Sequence, residues 1–161
     1  MEEITYRPIG LIRSPFSETE GMPIQPAGAR GVKGTIEIAP EFAAGLKDLE
    51  GFSHLIVIYH FHRSRGYDLT LTPFLDDRPR GVFATRAPRR PNAIGLSVLR
   101  LNSVEGSVLQ VEDVDVLDGT PVLDLKPYVP EFDAPRVERI GWLTGKGGKS
   151  RRTRADGRFK G

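Results

Sequence analysis

The apolar runs of this chain are short, rich in β-branched and aromatic residues, and closed off by Gly, Pro or Asp, which favours strands and leaves little room for helices. The pattern predicts strands over 4–13, 33–38, 53–62, 81–85, 96–103, 107–117, 121–126 and 136–143. One helix is expected over 40–51, "PEFAAGLKDLEG", with Pro40 in its first turn, Phe42, Leu46 and Leu49 at helical spacing, and Gly51 where the chain leaves it. Glu105 and Gly106 in "NSVEGSVLQV" read as a tight hairpin. The expectation is an all-β fold, mainly a small antiparallel β-barrel, with one short helix and long loops. The βαβ alternation of a doubly wound nucleotide-binding sheet is missing. Segments 14–32 and 63–80 are polar and rich in Gly, Pro and Arg, and loops of that length in a compact domain are often functional.

A chain of 161 residues can bury one core, so one domain is expected. With no cysteine, disulfides, thiolate metal sites and cysteine nucleophiles are excluded. The start, "MEEITYRPIG", is acidic and interrupted by proline, unlike a secretory signal, and stretches such as "LIVIY" are far too short to cross a bilayer. A soluble, cytoplasmic protein is expected. The net charge of +2 is unevenly spread: the last 17 residues hold seven Lys or Arg against one Asp, while the rest hold 16 basic and 20 acidic residues. Residues 1–144 are therefore read as the domain and 145–161 as a basic, flexible tail suited to a polyanionic partner, nucleic acid first among them.

Two motifs fail on inspection. "GKGGKS" lacks the glycine that a phosphate loop needs five positions before Gly148, where Leu143 stands. "DVDVLDG" has Leu117 at the fifth ligand position of a calcium loop, with valines alternating as in a strand. No G-x-G-x-x-G follows a strand, and no G-x-S-x-G elbow occurs. The three histidines, His54, His60 and His62, fall at even positions in one predicted strand and would share a face with Ile56 and Ile58. A metal-dependent, cupin-like barrel enzyme using His60 and His62 is one alternative, although such sites recruit further ligands from elsewhere in the chain. A non-enzymatic RNA-binding barrel is another.

Between two apolar runs, "GVFATRAPRRPNAIGLSVLRL" places Arg86, Arg89 and Arg90 on a segment that Pro88 and Pro91 keep from becoming helical. A stiff cationic loop held by strands suits an anionic ligand. Downstream, "DVDVLDGTPVLDLKPY" sets Asp115, Asp118 and Asp124 among Val, Leu and Pro, where an ionised carboxylate is costly without a partner. The three arginines are the obvious partners, whether in a salt-bridged rim or in a site.

These segments, together with "RPIGLIRSPF", "PIQPAG" and "LEGFSHLIVIYHF", resemble the TsaA-like family, also called TrmO, in the same order and over about residues 6–133. The resemblance implies a small β-barrel that uses S-adenosylmethionine to methylate the exocyclic nitrogen of threonylcarbamoyl-adenosine beside the tRNA anticodon. It also implies a homodimer with the cofactor near the interface and tRNA as partner. Carried over residue by residue, it implies cofactor contacts from Gln25, Pro26, Ala27, Phe61, His62, Arg86, Leu96 and the strand reaching Asp115. Asp118 would line the same cleft, and because a ureido nitrogen is a poor nucleophile while protonated, Asp118 and His62 are the candidates for a base. Lys126 and Tyr128 would line the same cleft, and Arg89, Arg90 and Asn92 would hold the threonine carboxylate or RNA phosphates. No metal is implied. The chain departs from the usual pattern at Ile24, where arginine is frequent, at Ala87, where serine is common, and at Ala93, where proline is common. Several members carry a further C-terminal domain, whereas a short basic tail is expected here.

Overall fold

In this computed structural model the described residues are 1–146 and 148–159. Six strands close into an antiparallel barrel: β1 (Gly10–Arg13), β2 (Lys33–Ile38), β3 (His54–His60), β6 (Ile94–Glu105), β7 (Val108–Glu112) and β8 (Thr120–Pro127). They follow one another round the ring as β1, β2, β7, β6, β3 and β8, and β8 returns to β1. Two-residue strands β4 (Thr70–Leu71) and β5 (Arg80–Gly81) form a separate ladder.

The period-2 pattern explains which face turns inward. Along β3, Leu55, Val57 and Tyr59 are buried, while His54, Ile56, Ile58 and His60 face outward. On β6 the buried positions are Gly95, Ser97, Leu99 and Leu101. Leu55, Val57, Tyr59, Leu99 and Leu101 join Ile12, Ile36, Leu109, Val111, Val114 and Val122 in one core. Two irregularities bend the wall: β6 shifts register against β7 between Leu101 and Ser103, and β3 shifts against β8 between Ile58 and Tyr59. Such shifts supply the curvature that ring closure requires. The β6–β7 hairpin turns through Gly106, whose φ of +63° favours glycine.

Several expected elements differ. Strand 4–13 begins only at Gly10, and strand 53–62 ends at His60, which leaves His62 in the following turn. The expected helix over 40–51 is instead two 3-10 turns, Pro40–Leu46 and Leu49–Gly51, because Lys47 is extended and Asp48 is left-handed at φ +66°. Val82–Ala84 is also a 3-10 turn, so the expected strand 81–85 keeps only Gly81. Residues 136–143 form no strand and end in a 3-10 turn over Gly141–Leu143, with Gly141 at φ +58°. The α-helices among the described residues are four residues each: α1 (Pro130–Asp133) and α2 (Lys149–Arg152).

Gly95 sits opposite Tyr59 across the β3–β6 pair. A Cβ placed there would lie 2.3 Å from the Tyr59 ring and 2.8 Å from that of Phe61. Those two rings meet edge to face at 5.4 Å, so neither has room to retreat without breaking the other's contact. Gly95→Ala is expected to cost about 1–3 kcal/mol of stability, read from the denaturation midpoint at unchanged slope.

Candidate functional site

A cleft of about 410 Å³ lies against the outer face of β3 and β6, within the size range of small-molecule sites. Ile56, Leu96 and Val98 form its apolar floor, since Ile56 pairs with Val98 and Ile58 with Leu96 across the two strands. Leu96 is 47% exposed, an unusual position for a leucine in the middle of a barrel strand unless something covers it. Pro26 from the 14–32 loop, Arg86 from the arginine loop, and Tyr128 and Asp133 from the end of β8 and α1 complete the walls. Arg86 Nη1 donates to Gln25 Oε1 at 3.3 Å, which ties the two long-loop walls together. Four sequence-predicted residues thus line one cavity, Pro26, Arg86, Leu96 and Tyr128, with Gln25 bonded to one of them.

Ser97 also lines the cleft and carries its chemistry through the barrel wall. Its hydroxyl donates to Asp115 Oδ1 at 2.6 Å and lies 3.1 Å from the Tyr59 hydroxyl. Asp115 is buried, and burial pushes its carboxyl up to about 6, against the pull of the Ser97 hydroxyl and the Arg86 charge. Tyr59 is raised above its ordinary range by burial first and by the Asp115 charge second. A carboxylate behind the floor and a guanidinium at the mouth thus give the cleft both signs of charge.

His62 and Asp118 form a neighbouring cluster. His62 Nδ1 is 3.5 Å from Thr120 Oγ1, and the ring is held below its ordinary value by burial, then by Arg63 and His60, with Asp118 opposing. Asp118 Oδ1 accepts the Ser14 amide at 3.1 Å. Phe61 packs on Tyr59, Ala27 is exposed on its turn, and Lys126 pairs with Asp124 at 2.8 Å on the same outer face as Ile56, its neighbour across β3–β8. His60 is exposed, and no group of three His, Asp or Glu side chains among the described residues is arranged to share a cation.

The arginine loop is internally fixed. Arg90 Nη1 donates to the carbonyls of Thr85 and Ala87 at 3.0 and 3.2 Å, stapling the loop to itself. Arg89 Nε donates to Asp68 Oδ2 at 2.9 Å, and Asn92 is exposed. Sequence reasoning missed Ser97 and Tyr59. Their signal was a hydroxyl at an inward-facing position in each of two facing apolar strands, "GLSVLRL" and "HLIVIYH".

The model of the tRNA-methyltransferase O N-terminal domain matches residues 11–134. A Pyrococcus abyssi protein named "Probable S-adenosyl-L-methionine-binding protein" is 55% identical over 156 residues, covering 97% of this chain and 85% of that one. The mouse protein named tRNA (adenine(37)-N6)-methyltransferase is 38% identical over 138 residues, covering 80% of this chain and 32% of its own. The crystal structure of TrmO from Pseudomonas aeruginosa superposes with a TM-score of 0.74 at 42% identity, covering 88% of this chain and 63% of that one. The chain therefore spans most of the archaeal relative, under two thirds of the bacterial structure and about a third of the mammalian protein. By the extent of the matched domain and the degree of identity, this chain belongs to the tRNA-methyltransferase O N-terminal domain family.

Proposed function

We propose that this chain is an S-adenosylmethionine-dependent tRNA methyltransferase that modifies the exocyclic nitrogen of threonylcarbamoyl-adenosine next to the anticodon. The observation that carries this reading is the cleft in which Arg86 stands over an apolar floor with Asp115 behind it. Those groups fit the donor: an apolar floor for its adenine, a guanidinium for its carboxylate, and a carboxylate whose field favours its cationic end. Gln25, Pro26, Ala27, Phe61, His62, Arg86, Leu96 and Asp115 are the proposed donor contacts. The names of the archaeal, mammalian and bacterial relatives support the same chemistry.

When bound, the donor supplies a methyl group on a sulfonium, open to in-line attack. The chain's own contribution is placement. Holding two reactants in register removes roughly 7–11 kcal/mol of barrier, so no covalent enzyme intermediate is needed. Arg86, tied to Gln25, orients a carboxylate, and the apolar floor, once covered by the donor, keeps water from the reacting end. His62, whose ring is held below its ordinary value by burial first, then by Arg63 and His60, and Asp118 are the proposed proton acceptors for the ureido nitrogen. Arg89, Arg90 and Asn92 would hold the threonine carboxylate or anticodon-loop phosphates. Lys126 and Tyr128 would flank the purine, and the cations of 145–161 would add a salt-sensitive attraction to RNA.

The proposal extends to a cytoplasmic homodimer. Phe132, 79% exposed on α1 next to Asp133 of the cleft wall, gives an apolar patch at the cleft's rim that a second copy would cover. No helix among the described residues is long and apolar enough to cross a membrane.

Mass spectrometry of tRNA nucleosides after incubation with donor and threonylcarbamoylated tRNA should show one added methyl on that nucleoside; unmodified nucleosides from folded protein that binds the donor would refute the assignment. Arg86→Ala should weaken donor binding by about tenfold or more in calorimetry, the scale of a lost charge-assisted pair. Because Asp115 is protonated below about pH 6 and anionic above it, donor affinity should rise as pH increases from 5 to 7, and Asp115→Asn should flatten that profile. Replacing Lys149, Arg151 and Arg152 together by Gln should lower the slope of log affinity for tRNA against log salt by up to about 2–3.

A further inference from the structure

Residues 148–159 lie beyond the matched 11–134 span, yet they are bound to the turn that holds Gln25, Pro26 and Ala27. The Gly21 amide donates to the Ala155 carbonyl at 2.7 Å, and the Ala155 amide donates to the Met22 carbonyl at 2.9 Å. Pro23 and Arg154 form an antiparallel bridge beside these bonds. α2 then lies along the Pro26–Gly28 turn so closely that a Cβ on Gly28 would stand 3.1 Å from the Ser150 carbonyl and 3.3 Å from that of Arg151.

The other end of the segment is anchored independently. Arg158 Nη1 donates to the carbonyls of Thr72 and Pro73 at 3.3 and 2.8 Å, and its guanidinium lies 5.2 Å over the Phe74 ring. Asp156 grips the same guanidinium at 2.7 Å. Phe159 meets Phe74 edge to face at 5.0 Å and packs against Leu71, Val82 and Ala87. Val82 and Ala87 flank the segment that carries Arg86. One stretch of chain therefore touches the base of the arginine loop and the turn opposite it, the two walls joined by the Arg86–Gln25 hydrogen bond.

We infer that residues 148–159 are a positioning strap for the donor-binding turn: paired with Gly21 and Met22 and pinned by Arg158, they hold Gln25, Pro26 and Ala27 against Arg86 before the donor arrives. This rests on the assignment of the cleft as the S-adenosylmethionine site. The 14–32 loop contains little regular structure of its own, and ordering it in advance removes part of the cost of binding. Linkage makes the effect reciprocal: if the strap favours donor binding, the donor must stabilise the strap.

Ala155→Pro removes the amide that bonds to Met22 without altering any side chain at the cleft. In calorimetry with S-adenosylmethionine on the full chain, the variant should bind about fivefold or more weaker, while its thermal midpoint without ligand stays close to that of the unsubstituted protein. On the unsubstituted chain, saturating donor should slow hydrogen exchange at the Ala155 amide, an effect that a merely structural strap would not produce. A dissociation constant within about twofold of the original, or Ala155 exchange indifferent to donor, overturns the inference, and the exchange measurement decides alone if the variant does not fold. Failure of the unsubstituted chain to bind donor at all would overturn the cleft assignment along with it, and that result is visible before any substitution is made.

Discussion

Closure of the ring between β1 and β8 is the constraint on which the remaining geometry depends. β1 is only four residues long, yet it pairs with β2 on one side and, through Gly10, Leu11 and Ile12, with β8 on the other. Without it the barrel would present two open edges, each a template for unwanted pairing. The seam is reinforced beyond the strands: Gly119 donates to the Ile12 carbonyl, Asp118 to that of Phe16, and the Ser14 hydroxyl to that of Val116. These bonds place Asp118 and Thr120 beside His62 and launch the 14–32 loop toward the arginine loop. The requirement that no strand edge be left open thus also fixes two groups of polar side chains.

The second organising element runs through the barrel wall. Tyr59, Ser97 and Asp115 are buried polar groups in an apolar interior, and each is hydrogen-bonded. Among the described residues no buried side-chain nitrogen or oxygen lacks a partner. The arrangement is costly unless complete, since a buried hydroxyl or carboxyl without a partner loses its hydration for nothing. Gly95 makes it possible by leaving space for the Tyr59 ring. A charge-sensitive carboxyl is thereby held one side chain away from a surface cleft without being exposed to water.

Much of this was legible in the sequence, for identifiable reasons. Strand 33–38 is bounded as expected because Gly31 and Pro40 punctuate it on either side. Alternation correctly put His54, Ile56, Ile58 and His60 on one face of their strand, though His62 falls beyond its end. It failed over 136–143, where Val137, Ile140 and Trp142 suggest a strand but Gly141 takes a left-handed conformation, and over 40–51, where Asp48 does the same. Both are backbone preferences that side-chain periodicity does not encode. At the site, the three arginines on a proline-bounded loop marked the segment from which Arg86 reaches the cleft. The partners of those arginines did not show, because Asp68 lies 21 residues before Arg89 in an irregular loop, and Arg90 is satisfied by backbone carbonyls. Only the fold brings such pairs together.

Trp142 stands between two cations, with the Lys146 ammonium 5.2 Å and the Arg80 guanidinium 5.8 Å from its ring, while its indole N–H donates to the Ala84 carbonyl at 2.7 Å. Asp76, nearly buried, holds both cations in place, and Lys146 first and Arg80 second keep its carboxyl below the usual range. Trp142 is the only tryptophan in the chain. Its emission is consequently an optical gauge confined to one spot: it senses whether residues 140–146 are seated two positions from Arg86, with no contribution from another indole to dilute the signal.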